Sequence, residues 1–255
     1  MHIFKIVFII ISVYIMLLAY AYFASDHIIF PGYKTHYKNE PNFLKLTTAD
    51  KKIISALYLP NKNAKYTIFV SHGNAEDIGR ELSFLHALHD HGFAVFAYEY
   101  HGYGLLSTGT PSEHNTYLDV NAAYNYLTKN LYVAPKNIIS YGFSLGVAPA
   151  LDLAVRQPVA AVILQGPFVT AFRIKTHFPI FPFDKFNNLE KITKLKYPVL
   201  IIHGTDDKTI PFWHGQKLYS AANEPKQFYV VEKAGHRIPT DKEYWTHIKK
   251  FVRGV

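Results

Sequence analysis

A serine in a glycine-flanked pentapeptide is the residue of this sequence with the most recognisable chemistry. The segment GFSLG at 142–146 follows an apolar run at 138–141 and precedes an Ala-rich segment whose apolar residues have helical spacing. Between a strand and a helix, a G-x-S-x-G pattern places the serine on a sharp turn with its hydroxyl exposed. The pentapeptide alone also arises by chance, but this setting predicts that Ser144 is a nucleophile.

A serine hydroxyl needs a base to remove its proton and a carboxylate to orient that base. His236 follows the last predicted strand, and Asp206 and Asp207 follow the strand before it. Each alone has an ordinary alternative, because an aspartate often caps a helix and a loop histidine is often only solvated. With Ser144, in the order Ser, Asp, His and at matching strand ends, they predict a catalytic triad. Spacing alone does not decide between Asp206 and Asp207.

The turn after the third predicted strand, SHGNA at 71–75, is a candidate for stabilising negative charge. Attack on a carbonyl group places negative charge on its oxygen, which preorganised N–H groups stabilise. We expect the backbone N–H groups of Asn74 and Leu145 to be these donors. We interpret His72 as a side chain that stabilises the turn rather than as a second base.

Strand and helix patterns alternate through most of the chain. Two strands at 43–47 and 53–59 come first without an intervening helix, which predicts an antiparallel start to the sheet. From residue 66 onwards, strands alternate with helices, as in a mostly parallel sheet covered on both faces. The segment TPSE at 110–113 predicts a capping box with proline at the first helical position. Every candidate residue lies at the carboxyl end of a strand, where such sheets bind ligands.

An apolar N-terminal segment precedes this α/β pattern. Residues 6–24 carry no charge, and as a helix they would span about 28 Å, enough to cross a membrane. We therefore predict an anchor at 5–24 and one α/β domain at 40–255. Lys5 on the N-terminal side favours a single-pass orientation with the domain on the non-cytoplasmic side. A cleaved signal peptide is the alternative, because AYA at 19–21 resembles a signal-peptidase site.

Composition narrows the possible partners. The chain has no cysteine, which excludes disulfides, cysteine nucleophiles and thiolate metal sites. Its net charge is +8, but the basic residues are scattered without a nucleic-acid motif, so we predict no nucleic-acid partner. Anionic membrane lipid is the alternative partner for one local lysine cluster, which comprises Lys185, Lys191, Lys194 and Lys196. We predict no metal site, although one is conceivable at His86, His89, Asp90 and His91.

Five segments together resemble α/β-hydrolase-fold serine hydrolases, in the membrane-associated branch that includes protein depalmitoylases. They are SHGNAEDIG at 71–79, YEYHGYGLLSTGTPSE at 98–113, GFSLG at 142–146, HGTDDKTIP at 203–211 and AGH at 234–236. The resemblance implies an α/β-hydrolase fold with a short lid, acyl ester or thioester substrates, and no cofactor. It also implies that the acid of the triad is Asp207 rather than Asp206.

Two features depart from that family. The depalmitoylases that this chain resembles attach to membranes through lipidated N-terminal cysteines, which this chain lacks. The apolar N-terminal segment would replace them, with membrane lipid as its partner. Glu99 stands where the family has an aspartate, and we expect this difference to affect a turn rather than the chemistry.

A phenylalanine-rich stretch lies between the predicted strands at 159–164 and 199–203. The interval is too short for a large helical cap domain. We expect instead a short hydrophobic rim that binds an acyl chain or faces the membrane, with Phe168, Phe172 and Phe178 contacting substrate. For any single phenylalanine, packing in the core is the ordinary alternative.

These residues together predict a membrane-anchored serine hydrolase of acyl esters or thioesters. One alternative is a serine peptidase of the same fold, against which the apolar rim and the missing cap domain argue. The other is a non-catalytic binding protein that retains the fold, against which the complete triad argues.

Overall fold

The computed structural model describes residues 2–31, 35–37 and 43–255. These residues form an eight-stranded sheet in the order β1-β2-β4-β3-β5-β6-β7-β8. The strands are β1 (Phe43–Thr47), β2 (Ile53–Leu59), β3 (Thr67–Ser71), β4 (Ala94–Tyr98), β5 (Ile138–Phe143), β6 (Ala161–Gln165), β7 (Val199–Gly204) and β8 (Lys226–Val231). The helices are α1 (His2–Ile29), α2 (Ile78–Asp90), α3 (Glu113–Lys129), α4 (Val147–Arg156), α5 (Asn188–Thr193), α6 (Trp213–Ala221) and α7 (Lys242–Arg253).

The sheet is parallel from β4 to β8, and only its first part is antiparallel. Strand β2 pairs antiparallel with both β1 and β4, which confirms the predicted antiparallel start. Strands β3, β5 and β6 are buried along their whole length because helices cover both faces. The carboxyl ends of β3, β5, β7 and β8 therefore meet at one edge, where the loops carrying the candidate residues begin.

Each face of the sheet has its own hydrophobic core. In β3, Phe69 belongs to the core under α3 and α4, whereas Ile68 and Val70 belong to the core under α2 and α7. This alternation follows from the two-residue period of side chains along a strand. The two cores fix the strands firmly, and so they fix the loops at the strand ends.

Helix α1 is longer than the predicted anchor. It runs without a break from His2 to Ile29 and is long and apolar enough to cross a membrane. Most of its large apolar side chains are exposed. Ser25 is buried, however, and Phe30, the residue directly after the end of the helix, belongs to a core. The predicted start of the α/β domain at residue 40 lies outside the described residues.

The start of α3 differs from the capping box predicted at 110–113. The cap is Ser112, whose hydroxyl accepts a hydrogen bond of 3.1 Å from the backbone N–H of Asn115. The helix therefore begins at Glu113, and Pro111 lies before the cap. The prediction was wrong by two residues because TPSE contains two hydroxyl residues, either of which can cap a helix.

Candidate active site

The turn between β5 and α4 holds Ser144 in a strained backbone conformation. Ser144 has φ of 53°, a left-handed value that is uncommon for any residue other than glycine. A short 3-10 turn, Ser144–Gly146, leads directly into α4. A Cβ atom on Gly146 would lie 1.9 Å from the carbonyl oxygen of Ser71, and one on Gly142 would lie 2.5 Å from that of Gly146. The two flanking glycines are therefore required by the close approach of neighbouring backbone.

Ser144, His236 and Asp207 form a continuous chain of hydrogen-bond contacts. The Oγ of Ser144 lies 2.9 Å from Nε2 of His236, and Nδ1 of the same ring lies 2.7 Å from Oδ2 of Asp207. With the proton on Nδ1 donated to the carboxylate, Nε2 is free to accept the hydroxyl proton. This is the geometry that a serine nucleophile and its base require.

Asp207 is buried and accepts several hydrogen bonds. The backbone N–H groups of Thr209 and Ile210 each donate to Oδ1 at 2.8 Å. His203 Nε2 lies 3.2 Å from Oδ2 and also 2.9 Å from the carbonyl oxygen of Ile210. Burial acts to raise the pKa of Asp207, but the hydrogen bonds from His203, His236 and Ile210 outweigh it and hold the pKa well below its usual range.

Asp206, which spacing alone could not separate from Asp207, is exposed, and it is the carboxylate of Asp207 that contacts His236. Its backbone N–H donates instead to the carbonyl oxygen of Ala234 at 2.9 Å. That bond ties the loop after β7 to the loop that carries His236. Sequence reasoning did not single out His203, although the position of this buried polar residue within the sheet was a signal.

The loop after β3 brings Asn74 to the same place. Asn74 and Leu145, whose backbone N–H groups we predict to be oxyanion donors, both line the cavity that contains Ser144. The side chain of Asn74 is held from two sides, because its Nδ2 donates to the carbonyl oxygen of Ile29 and its Oδ1 accepts from the hydroxyl of Tyr103 at 2.8 Å. The Asn74 loop is thus fixed in part by the end of α1.

His72 and Glu99 lie behind this loop and away from the cavity. His72 is buried, with Nδ1 2.9 Å from the carbonyl oxygen of Gly73 and Nε2 3.1 Å from Oε2 of Glu99. The other carboxylate oxygen of Glu99 accepts from the first N–H of α2, at Ile78, at 2.8 Å. Both side chains therefore hold the turn, and neither contacts Ser144 or His236 by hydrogen bond.

A second acidic group connects the two halves of the site. Glu76 accepts from the backbone N–H of Gly73 at 3.1 Å and also contacts the guanidinium of Arg237, the residue after His236. Arg237 reaches Glu81 as well, at 3.1 Å. Burial and the nearby Glu81 raise the pKa of Glu76 to about 7, although Arg237 opposes this shift. This cluster ties the loop of His236 to the loop of Asn74, and sequence reasoning missed it.

A cavity of about 450 Å³ opens beside Ser144, and its lining is almost entirely apolar. Phe168 and Phe172 line it, as predicted. Phe178 lies outside the lining and is 78% exposed, whereas Phe181 takes the expected place. The reason is local packing. The ring centroid of Phe181 lies 5.9 Å from those of Phe172 and Phe183, edge-to-face on the first and stacked on the second, while Phe178 stays exposed on the outer side of the loop.

Comparison with known proteins decides the family. Alpha/beta hydrolase domain-containing protein 17B of Homo sapiens is 40% identical over 216 residues, which cover 82% of this chain and 74% of that protein. Protein 17C of Mus musculus is 38% identical over 216 residues, covering 82% of this chain and 67% of that protein. This chain belongs to the alpha/beta hydrolase family. The family described as "Serine aminopeptidase, S33" also matches residues 62–188.

Solved structures show the same alpha/beta hydrolase fold. An esterase of Pyrococcus furiosus superposes with a TM-score of 0.74 at 18% identity, covering 89% of this chain and 99% of that structure. An esterase of a Rhodococcus species superposes with a TM-score of 0.66 at 15% identity, covering 83% and 98%. The predicted fold class is confirmed, and the strand ends that carry Ser144, Asp207 and His236 are those of an alpha/beta hydrolase sheet.

The basic and histidine clusters have local partners in this hydrolase domain. Lys185 pairs with Asp26 at 2.6 Å, and Lys191 pairs with Asp152 at 3.0 Å. The ring of His91 packs against Trp245, with 4.1 Å between centroids. Among the described residues, no group of three or more metal-ligating side chains is close enough to hold an ion.

Proposed function

We propose that this chain is a membrane-anchored serine hydrolase that cleaves acyl esters or thioesters through an acyl-enzyme, in the manner of a protein depalmitoylase. The observation that carries the proposal is the contact chain from Ser144 through His236 to Asp207 at the mouth of an apolar cavity. An activated serine supplies acyl transfer, and an apolar cavity beside it suits an acyl chain.

The reaction proceeds in two halves. Ser144 Oγ attacks the carbonyl carbon while His236 Nε2 takes its proton, and Asp207 stabilises the imidazolium that forms. The backbone N–H groups of Asn74 and Leu145 stabilise the negative oxygen. His236 then protonates the departing alcohol or thiol, which leaves an acyl group on Ser144. Water, deprotonated by His236, attacks that acyl group, releases the acid and restores the hydroxyl.

A serine peptidase is the second candidate, because one matching family is described as a serine aminopeptidase. An amide substrate would use the same nucleophile and base, but it would also need a subsite for the peptide. The lining near Ser144 instead consists largely of phenylalanine and aliphatic side chains. The acyl ester or thioester therefore accounts better for this cavity, and a non-catalytic binding role leaves the triad contacts unexplained.

Substrate profiling separates these candidates. We expect the full-length chain in detergent micelles to hydrolyse p-nitrophenyl acyl esters and acyl thioesters faster than aminoacyl or peptide amides. Ser144→Ala, prepared in the same way, serves as the control for contaminating hydrolases and should show no turnover of either class. Peptide amides cleaved faster than every acyl ester would favour the peptidase. No turnover of any ester, thioester or amide would favour the binding protein.

Helix α1 supports a retained single-pass anchor, with the N-terminus in the cytoplasm and the hydrolase domain on the other side. The helix continues without a break through AYA at 19–21, and a cleavage there would remove part of the wall of the cavity. Lys5 lies before the uncharged stretch, in the position that the positive-inside tendency favours.

Retention of α1 is measurable by intact mass. We expect the chain purified from membranes to have a mass that includes α1 from its first residues, and to stay in the membrane fraction after carbonate extraction. A mass that begins after Ala21, together with release of the chain into the soluble fraction, would contradict a retained anchor and support a signal peptide.

A further inference from the structure

Helix α1 forms one wall of the cavity beside Ser144. Six of its residues line the cavity together with the phenylalanines of the hydrolase domain: Leu17, Tyr20, Ala21, Ser25, Ile28 and Ile29. They recur at the three- and four-residue spacing that marks one face of a helix. The same helix that is apolar enough to cross a membrane therefore also forms part of the candidate substrate site.

Several contacts along α1 hold it against the hydrolase domain. The hydroxyl of Tyr14 donates to the carbonyl oxygen of Ile180 at 3.0 Å, and the ring of Tyr22 packs on Phe183 with 5.5 Å between centroids. Further along, Asp26 pairs with a lysine of the domain, Lys185. At the end of the helix, the carbonyl oxygen of Ile29 accepts a hydrogen bond from the side-chain amide of Asn74. The position of α1 is thus coupled to the loop that carries the candidate oxyanion donor.

The distance of these contacts from the start of α1 decides how deep the mouth of the cavity lies when α1 spans a membrane. From His2 to Tyr14, α1 rises only about 18 Å, whereas the hydrocarbon layer is about 30 Å thick. An α1 that spans the membrane therefore brings Tyr14, and the loop segment beside it, into the hydrocarbon layer. That loop is suited to this position, because residues 176–183 contain no Lys, Arg, Asp or Glu. Phe178 and Ile180 in it are exposed.

We infer that α1 is a functional wall of the acyl site and that the substrate is a long-chain acyl ester or thioester whose chain enters the cavity directly from the bilayer. This inference rests on the proposed function, because it assigns the acyl chain to the cavity of Ser144. The small residues Ala21 and Ser25, one turn apart, leave the space that the chain occupies. The charged pair Asp26–Lys185 then marks the level at which the polar part of the substrate meets water.

The first test compares two tryptophan variants of α1 in full-length protein reconstituted into lipid nanodiscs. Ala21→Trp fills the cavity, whereas Ala19→Trp places the same side chain at an exposed position outside its lining. The readout is the ratio of inactivation rate constants for a hexadecyl and an ethyl fluorophosphonate. Because each buried methylene contributes about fourfold in affinity, Ala21→Trp should lower this ratio about tenfold or more, and Ala19→Trp should leave it unchanged.

The outcomes separate the inference from the function on which it rests. An unchanged ratio in Ala21→Trp, with both reagents still labelling the protein, overturns the role of α1 and leaves the hydrolase proposal standing. No labelling of the wild type by either reagent overturns the hydrolase proposal itself. Equal loss in Ala19→Trp and Ala21→Trp also overturns the inference, because it assigns the effect to the helix in the membrane rather than to the cavity.

A second test uses the unaltered chain, so it does not depend on the folding of a variant. A hexadecyl fluorophosphonate with a diazirine at the end of its alkyl chain is bound first and then photolysed. We expect crosslinks on α1, around Leu17 to Ala21. Crosslinks confined to the hydrolase domain, with none on α1, would overturn the inference.

Discussion

Replacing His236 by alanine is expected to lower kcat for acyl esters by about 10⁶-fold, because the hydroxyl of Ser144 then has no base. The Nε2 atom of His236 is 2.9 Å from Oγ of Ser144, and no other ring nitrogen is within hydrogen-bond distance of that atom among the described residues. The measurement is kcat from steady-state hydrolysis of a p-nitrophenyl ester, with correction for the background rate.

The matched control is His86→Ala, which removes an exposed histidine on α2, outside the candidate site. We expect it to leave kcat within twofold of the wild type, since surface substitutions on a helix have small effects. If His236→Ala retained more than a few per cent of the wild-type kcat, His236 would not be the base.

Asp207→Asn should lower kcat by about 10⁴-fold while leaving the fold intact, because an amide favours the wrong tautomer of the histidine ring. In the wild type, Nδ1 of His236 lies 2.7 Å from Oδ2 of Asp207, and a carboxylate at that position can only accept, so it favours the tautomer with the proton on Nδ1. An amide nitrogen at that position donates its own proton to Nδ1, which leaves the proton of the ring on Nε2. Nε2, the nitrogen that faces Ser144, then has no lone pair to accept the proton of the hydroxyl.

The neighbouring aspartate supplies the control for this variant. Asp206→Asn removes the same charge one residue away, at an exposed site, and should change kcat less than twofold.

The pH dependence of the free energy of unfolding gives a second test of Asp207. The depressed pKa of Asp207 contributes stability that is present above the unfolded pKa of about 4 and lost as the pH falls through the folded value. The stability gap between the wild type and Asp207→Asn should therefore shrink below about pH 4.

The convergence of Ser144, Asp207 and His236 was predictable from the sequence because each of them follows a short apolar strand. In a parallel sheet, such positions converge at one edge, so Ser144, Asp207 and His236 could be brought together without coordinates. The need for glycine at 142 and 146 was also predictable from the G-x-S-x-G pattern, and in the structure the neighbouring backbone leaves no room for a Cβ atom at either position. The preference for Asp207 over Asp206 came from the family resemblance, and the contact with His236 gives it a geometric basis.

The shape of the substrate site was less predictable. Which loop phenylalanine faces the cavity depends on the path of an irregular segment, and no periodicity distinguishes Phe178 from Phe181. The contribution of α1 to the cavity was hidden for another reason. Its uncharged stretch indicates a membrane span. Only tertiary contacts, such as that of Asp26 with Lys185, show that the helix also packs against the hydrolase domain. Distant pairings of this kind leave no local pattern in a sequence.

Covalent labelling of Ser144 tests the central claim most directly. The full-length wild type is treated with a fluorophosphonate probe, and the modified residue is located by peptide mass spectrometry. We predict a single modification on Ser144, lost in Ser144→Ala and strongly slowed in His236→Ala. Labelling that persists in a folded Ser144→Ala variant, or modification of a different serine in the wild type, would contradict the assignment of Ser144 as the nucleophile.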